Sequence, residues 1–184
     1  MNPMRTLPAG VLLFWLALCP GADAAHAEST PVSPDSPASI TLQRSTCLGN
    51  CPGYSVSVTP DGQIDFDGHA HVQARSAHRR ATPSPYTAIL AAVEHAGFRS
   101  MHDRYVGRDD GCNAVMTDQP GVKITVVDAA GRKSVDFYYG CTGAVADAVR
   151  PRIEQLARMI DQRLDTARWI GTPALPGQAN KARR

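Results

Sequence analysis

Tyr54-Ser55-Val56-Ser57-Val58-Thr59-Pro60-Asp61-Gly62-Gln63-Ile64-Asp65-Phe66 alternates apolar and polar side chains, breaks at Pro-Asp-Gly, and resumes the alternation. A period of two puts Tyr54, Val56 and Val58 on one face of an extended chain and Ser55 and Ser57 on the other. That is the pattern of a half-buried strand. Pro60-Asp61-Gly62 is a turn signal, so the strand through Ile64 and Phe66 returns antiparallel to the first. Upstream, Ile40 and Leu42 alternate with Thr41 and Gln43 and predict a preceding strand. Downstream, Asp67-Gly68 marks a second turn, and His69 to Ala74 is a candidate fourth strand. The stretch therefore predicts a β-meander.

Past the meander the period changes. Ser84-Pro85 predicts a helix start, with Ser84 as N-cap and Pro85 at the first helical position. Tyr86, Ile89, Leu90 and Val93 form its apolar face and Gly97 ends it. A loop of about twenty residues, His102 to Gly121, follows; structureless loops of that length are uncommon and often functional. Val122, Ile124 and Val126 predict a strand, Ala129-Ala130-Gly131 a turn, and Val135, Phe137 and Tyr139 its partner. Val145, Val149, Ile153, Leu156, Ile160 and Leu164 recur at helical spacing, predicting a helix over residues 144–164 that Pro151 either kinks or effectively begins. Trp169 and Ile170 are expected to cover the edge of the core. The reading is α+β: an antiparallel sheet, made of an N-terminal β-meander and a later hairpin, packed against two helices.

The 184 residues are 43% hydrophobic and 20% charged, a globular composition that excludes wholesale disorder. Nineteen basic residues against seventeen acidic, with 6% aromatics, give neither the charge nor the stacking surface of a nucleic-acid binder. The first residues read as an address. Arg5 precedes the apolar run Val11 to Cys19, which is shorter than the roughly 20 residues of a membrane span. Pro20 and Gly21 break it, and small residues in A-x-A spacing follow. This predicts a secretory signal peptide over residues 1–27, cut after Ala24 or Ala27 with Ala27 preferred, and hence a periplasmic or secreted bacterial protein. Leu16-Ala17-Leu18-Cys19 partly matches a lipobox, but Leu18 is large where a small residue is needed, so a lipoprotein through Cys19 is the minority alternative. Residues 28–37 read as a flexible leader, 38–170 as a single domain with no further transmembrane segment, and 171–184 as a basic disordered tail carrying Lys181, Arg183 and Arg184.

Signal removal leaves Cys47, Cys51, Cys112 and Cys141. An even count in an oxidising compartment favours disulfides, and four cysteines allow three connectivities. Local pairing, Cys47–Cys51 and Cys112–Cys141, is preferred. The string Cys47-Leu48-Gly49-Asn50-Cys51-Pro52-Gly53-Tyr54 is the sharpest motif. Two thiols at this spacing can exchange disulfides or bind a soft metal such as copper. Its C-x-x-x-C-P pattern is similar to copper-delivery proteins of the thioredoxin fold, but there the second cysteine leads into a helix, and here it leads into a strand. The structural alternative is a staple between two strands.

His69 and His71, two apart on an expected strand, would face the same side and could chelate zinc or copper, though spacing fixes no third ligand. Their other reading is two solvated histidines beside the basic stretch Arg75 to Arg80. Asp109, Asp110 and Asp118, with Thr117 and Tyr105, lie in the long loop. Carboxylates there can do acid–base work or bind calcium, but the spacing is not that of a calcium loop, and Asp118 reads better as a brace for the loop. No nucleophile elbow and no phosphate loop is present.

The cysteine loop, the Asp61-Gly62 turn, Phe98, Tyr105, Thr117-Asp118, Pro120, Asp136, Tyr138, Asp161 and Trp169-Ile170 occur in an order that resembles an uncharacterised bacterial family, domain of unknown function 6438. Its members are typically exported and carry a C-x-G-x-C-P loop after the first strand. The resemblance spans residues 38–170 and implies fold and location; the family carries no established activity. Leu48 stands where an aromatic is more usual, and Cys112 and Cys141 look like additions, which supports treating them as a pair. The functional expectation is a non-catalytic, disulfide-stabilised exported domain with a binding or accessory role at the cell envelope, its partner an envelope protein or a cell-wall component, with no cofactor. The alternative is a thiol-redox or copper/zinc-handling periplasmic protein using Cys47 and Cys51, with His69 and His71 as further candidate ligands. A third reading is a hydrolase whose site lies in the 102–121 loop, with Asp118 as its candidate residue.

Overall fold

Seven strands form one sheet in a computed structural model that describes residues 37–171. The expected signal peptide, most of the leader and the basic tail lie outside the described residues. The meander supplies β1 (Ser39–Arg44), β2 (Gly53–Val58), β3 (Gln63–Ala70) and β4 (Ser76–Arg80). Helix α1 (Tyr86–His95) follows. Then come the short β5 (Arg104–Tyr105) and β6 (Ala114–Val115), the hairpin β7 (Gly121–Asp128) and β8 (Gly131–Tyr138), β9 (Cys141–Thr142), and helices α2 (Ala144–Leu164) and α3 (Ala167–Ile170). The order across the sheet is β4-β3-β2-β1-β7-β8-β5. Every pair is antiparallel except β5–β8; β6 and β9 form a separate two-stranded ladder. The protein is thus α+β, as its alternating patterns predict.

The period-two pattern is realised along the meander. Ile40, Leu42, Tyr54, Val56, Val58, Ile64 and Phe66 are buried on one face, where they join Val122, Ile124, Val126, Val135 and Phe137 of the hairpin. Helices α1 and α2 close this face with Ile89, Val93, Val149, Ile153, Leu156, Ile160 and Leu164. Fully burying one such side chain stabilises by about 1.5–3 kcal/mol. Trp169 of α3 packs its ring 5.1 Å from that of Phe66, and its carbonyl accepts the amides of Gln73 and Ala74, so the expected edge cover is in place. The Pro60-Asp61-Gly62 turn needs its glycine twice over: Gly62 has a φ of 85°, and a Cβ there would lie 2.3 Å from the Ala81 carbonyl oxygen.

Five expectations are corrected. The fourth strand is not His69–Ala74. β3 runs on to Ala70, and β4 forms at Ser76–Arg80 by pairing with β3 from Asp67 back to Gln63. The loop from His102 to Gly121 is not structureless, because Arg104–Tyr105 pairs parallel to Asp136–Phe137 and Ala114–Val115 pairs with Cys141–Thr142. Two-residue strands are too short for a periodic signal. Pro151 does not begin α2, which starts seven residues earlier and runs through it. The proline lies on the exposed side, where water can take the carbonyl that loses its amide partner. Val145 is 44% exposed, and the buried stripe begins at Ala146. Helix α1 opens one residue later than expected, with Pro85 at its cap position, and the Ser84 hydroxyl accepts the Tyr86 amide at 3.3 Å.

Candidate functional site

β1 and β2 are joined by the cysteine loop, and the residues at its two feet are partners across the ladder: Arg44 opposes Tyr54. Both reach Asp161 on α2. Arg44 donates to one Asp161 carboxylate oxygen from Nε at 2.9 Å and from Nη2 at 2.7 Å. The Tyr54 hydroxyl donates to the other at 2.6 Å, and the Thr166 hydroxyl reaches the same oxygen at 3.0 Å. Burial opposes the charge of Arg44, but the Asp161 carboxylate more than offsets it and holds the guanidinium protonated well beyond its usual range. Burial, then the Asp161 charge, pushes the Tyr54 phenol up. The loop is therefore clamped at its base by one carboxylate that the helix delivers.

Cys47 and Cys51 are disulfide-bonded with Cα atoms 5.5 Å apart, and Cys112 and Cys141 with Cα atoms 5.2 Å apart. The first pair is half-buried, with Leu48 at its tip 82% exposed; the second lies in the core. The Leu48 amide donates to the Asp118 carbonyl at 3.0 Å, so Asp118 braces the cysteine loop through its backbone, at a φ of 66°, with its side chain exposed. Tyr105, the other candidate of the long loop, turns inward. It is 1% exposed, its ring packs on Phe137, and its hydroxyl accepts the His102 amide at 2.9 Å. Asp110 pairs with Arg104 at 3.4 Å and Asp109 is exposed.

His69 is exposed near the end of β3, whereas His71 lies beyond the strand with a left-handed φ of 53°. The period-two argument for a shared face therefore does not reach His71. Among the described residues no three His, Cys, Asp or Glu side chains are grouped to hold a metal ion.

An open cleft of about 480 Å³ lies between the segment leading into β7, the residue that follows β8 and the side of α2. Arg44, Arg150 and Arg158 line it with Gln119, Tyr139 and Glu154. Arg150 donates to the carbonyls of Tyr139 and Cys141 and stacks 5.2 Å from the Phe137 ring centroid. Burial raises the Tyr139 phenol, against the opposing charge of Arg44. Sequence reasoning missed this cleft. The Arg150, Glu154 and Arg158 side of α2 is legible as a polar flank at helical spacing, but nothing local brings Arg44 or Tyr139 to it.

The same end of the molecule gathers the exposed apolar side chains. Leu48, Val115, Met116 and Val145 are the exposed large hydrophobics among the described residues. Val115 pairs with Cys141, the Met116 amide donates to the Gly140 carbonyl, and Val145 lies against Gly111 beside Cys112. All four therefore sit on or next to the two stapled loops. The disulfides, and the lack among the described residues of a helix long and apolar enough to cross a membrane, are compatible with an extracellular or periplasmic protein.

No curated protein matches the chain. A family model described as Domain of unknown function (DUF6438) matches residues 38–163, which take in the cysteine loop, the clamp of Arg44, Tyr54 and Asp161, and the arginine-lined cleft, and the chain belongs to that family.

Proposed function

We propose that this is a non-catalytic exported domain that binds a partner at the bacterial cell envelope through its disulfide-stapled end. The observation that carries the reading is that the exposed Leu48, Val115, Met116 and Val145 all lie on or beside the two cross-linked loops. Scattered exposed leucines need no explanation, but a cluster held on rigid loops is how binding surfaces are built. Rigid loops lose little conformational entropy on association. The apolar segment before the A-x-A spacing supports export, and four cysteines in two pairs fit an oxidising compartment. The test is site-specific photocrosslinking in the periplasm of cells exporting the full chain. A crosslinker at position 48 or 116 is expected to give a discrete adduct, and one at exposed Asp67 is expected to give none. Equal adducts from all three positions, or none from any, would overturn the reading.

A second reading, thiol exchange or copper handling by Cys47 and Cys51, is favoured by one observation: this pair is half-buried, whereas Cys112 and Cys141 are 5% and 0% exposed. Exchange requires access to the sulfur. Selective alkylation of Cys47 and Cys51 after mild reduction, read by intact mass, with an adduct on adding Cu(I), is the expected signature. A bridge that resists mild reductant rejects it.

A further inference from the structure

We propose that the cleft between β8 and α2 is an oxyanion site that takes a carboxylate or phosphate group of a small ligand. Three guanidiniums line it against a single lining carboxylate, Glu154, whose contact with Arg158 is a loose 3.5 Å. Arg44 and Arg150 are held from behind, which is what distinguishes this cleft from a chance group of surface cations. Asp161 and Tyr54 occupy Nε and Nη2 of Arg44, leaving Nη1 unused by the clamp. Arg150 spends both terminal nitrogens on carbonyls, which hold the fork in place without neutralising it; its nearest carboxylate, Asp147, is 3.7 Å away and exposed. Fixing a guanidinium before the ligand arrives removes most of the ordering cost of binding. The N–H groups left over, Arg44 Nη1 among them, can donate charge-assisted hydrogen bonds to the oxygens of a carboxylate or phosphate. Tyr139 and Gln119 add neutral donors at the rim, and the raised phenol of Tyr139 keeps its proton at neutral pH. Arg158, 60% exposed and held only by its loose contact with Glu154, can close over a ligand from the helix side.

This site stands whether or not the apolar loops dock a protein, so its test uses the isolated chain. The side-chain Nε–H signals of the arginines are followed by NMR during titration with inorganic phosphate, with acetate, and with acetamide as an uncharged control. The expected result is saturable movement of the Arg44, Arg150 and Arg158 signals with at least one anion and none with acetamide. The stronger of the two anions identifies the source chemistry. R158Q, at an exposed position, is expected to weaken binding about tenfold, the loss of one charge-assisted hydrogen bond, with the amide spectrum otherwise unchanged. Unsaturating shifts that spread equally over Arg80 and Arg132 would overturn the proposal, as would saturation that survives R158Q and Y139F together. Either failure leaves the crosslinking test at Leu48 untouched.

Discussion

The two cross-linked loops belong to the same end of the fold and are secured in opposite ways. Cys112–Cys141 joins residues 29 apart in sequence, both in the core, and ties together β6 and β9, a ladder of only two residues a side. So short a ladder cannot hold itself, and the bridge supplies what hydrogen bonds lack. Cys47–Cys51 closes a ring four residues apart at the surface. Its loop is positioned from below, by Asp161 gripping Arg44 and Tyr54 at its two feet, and from the side, by the Leu48–Asp118 backbone bond. One loop is fastened by a covalent bond inside the core. The other is fastened by a helix carboxylate and carries its covalent bond on the outside.

Removing each bridge tests this difference most directly. The chain-entropy model assigns about 3.5 kcal/mol to the longer ring and about 2 kcal/mol to the shorter. C112A/C141A is expected to lose at least the former in urea unfolding, since it also vacates core volume. Equal losses for C112A/C141A and C47A/C51A would break the comparison. The next effect belongs to the clamp. D161A leaves Arg44 and Tyr54 without their acceptor, and removing one partner of a buried ion pair costs about 3–5 kcal/mol. Side-chain exposures of 21% and 19% place this pair at the lower end, about 3 kcal/mol. The sharper readout is redox access. D161A should speed reductive opening of Cys47–Cys51, measured by alkylation and mass, and leave Cys112–Cys141 unchanged. An equal effect on both bridges would mean that the helix does not secure the outer loop specifically.

The same contrast marks how far the sequence could be read. Tyr54-Ser55-Val56-Ser57-Val58 announces its strand because every residue obeys one local period, and Val149 to Leu164 announces a helix for the same reason. β5 and β6 are invisible because two residues carry no period; they exist only because β8 and β9 lie beside them. Arg44 reads as the end of a strand and Asp161 as the polar side of a helix. Their separation of 117 positions hides the bond that makes them one feature. The burial of Tyr105 was hidden because a tyrosine in a Gly/Asp-rich segment looks solvent-facing until the parallel pairing of Arg104–Tyr105 with β8 turns its ring into the core. His71 does not share a strand face with His69 because the strand ends one residue too soon. Local chemistry is legible at the cysteines, where motif and loop coincide, and illegible at the arginine cleft, where a sheet and a helix meet.

Tyr54 gives the smallest and most specific test, because it lets the clamp be weakened without removing a charge. Y54F deletes the hydroxyl that donates to Asp161 and keeps the ring that stacks 5.3 Å from Phe66. A hydrogen bond to a charged group contributes about 1.5–3 kcal/mol, and the remaining Arg44 and Thr166 donors place the loss at the low end, about 1.5 kcal/mol at neutral pH. The pH dependence separates this from a packing defect. Burial and Asp161 raise the folded phenol above the unfolded value of about 10, so the folded chain binds the proton more tightly than the unfolded one. That contribution is fully present below pH about 10 and is lost as pH rises through the folded value. Tyr139 and Tyr86 are raised in the same direction, so wild-type stability should fall with rising pH above that point. Y54F should start lower and fall less steeply, the two unfolding curves converging in strong alkali. Parallel curves would show that neither burial nor Asp161 raises the Tyr54 phenol in the folded chain, and would leave Arg44 as the one foot of the outer loop held by Asp161.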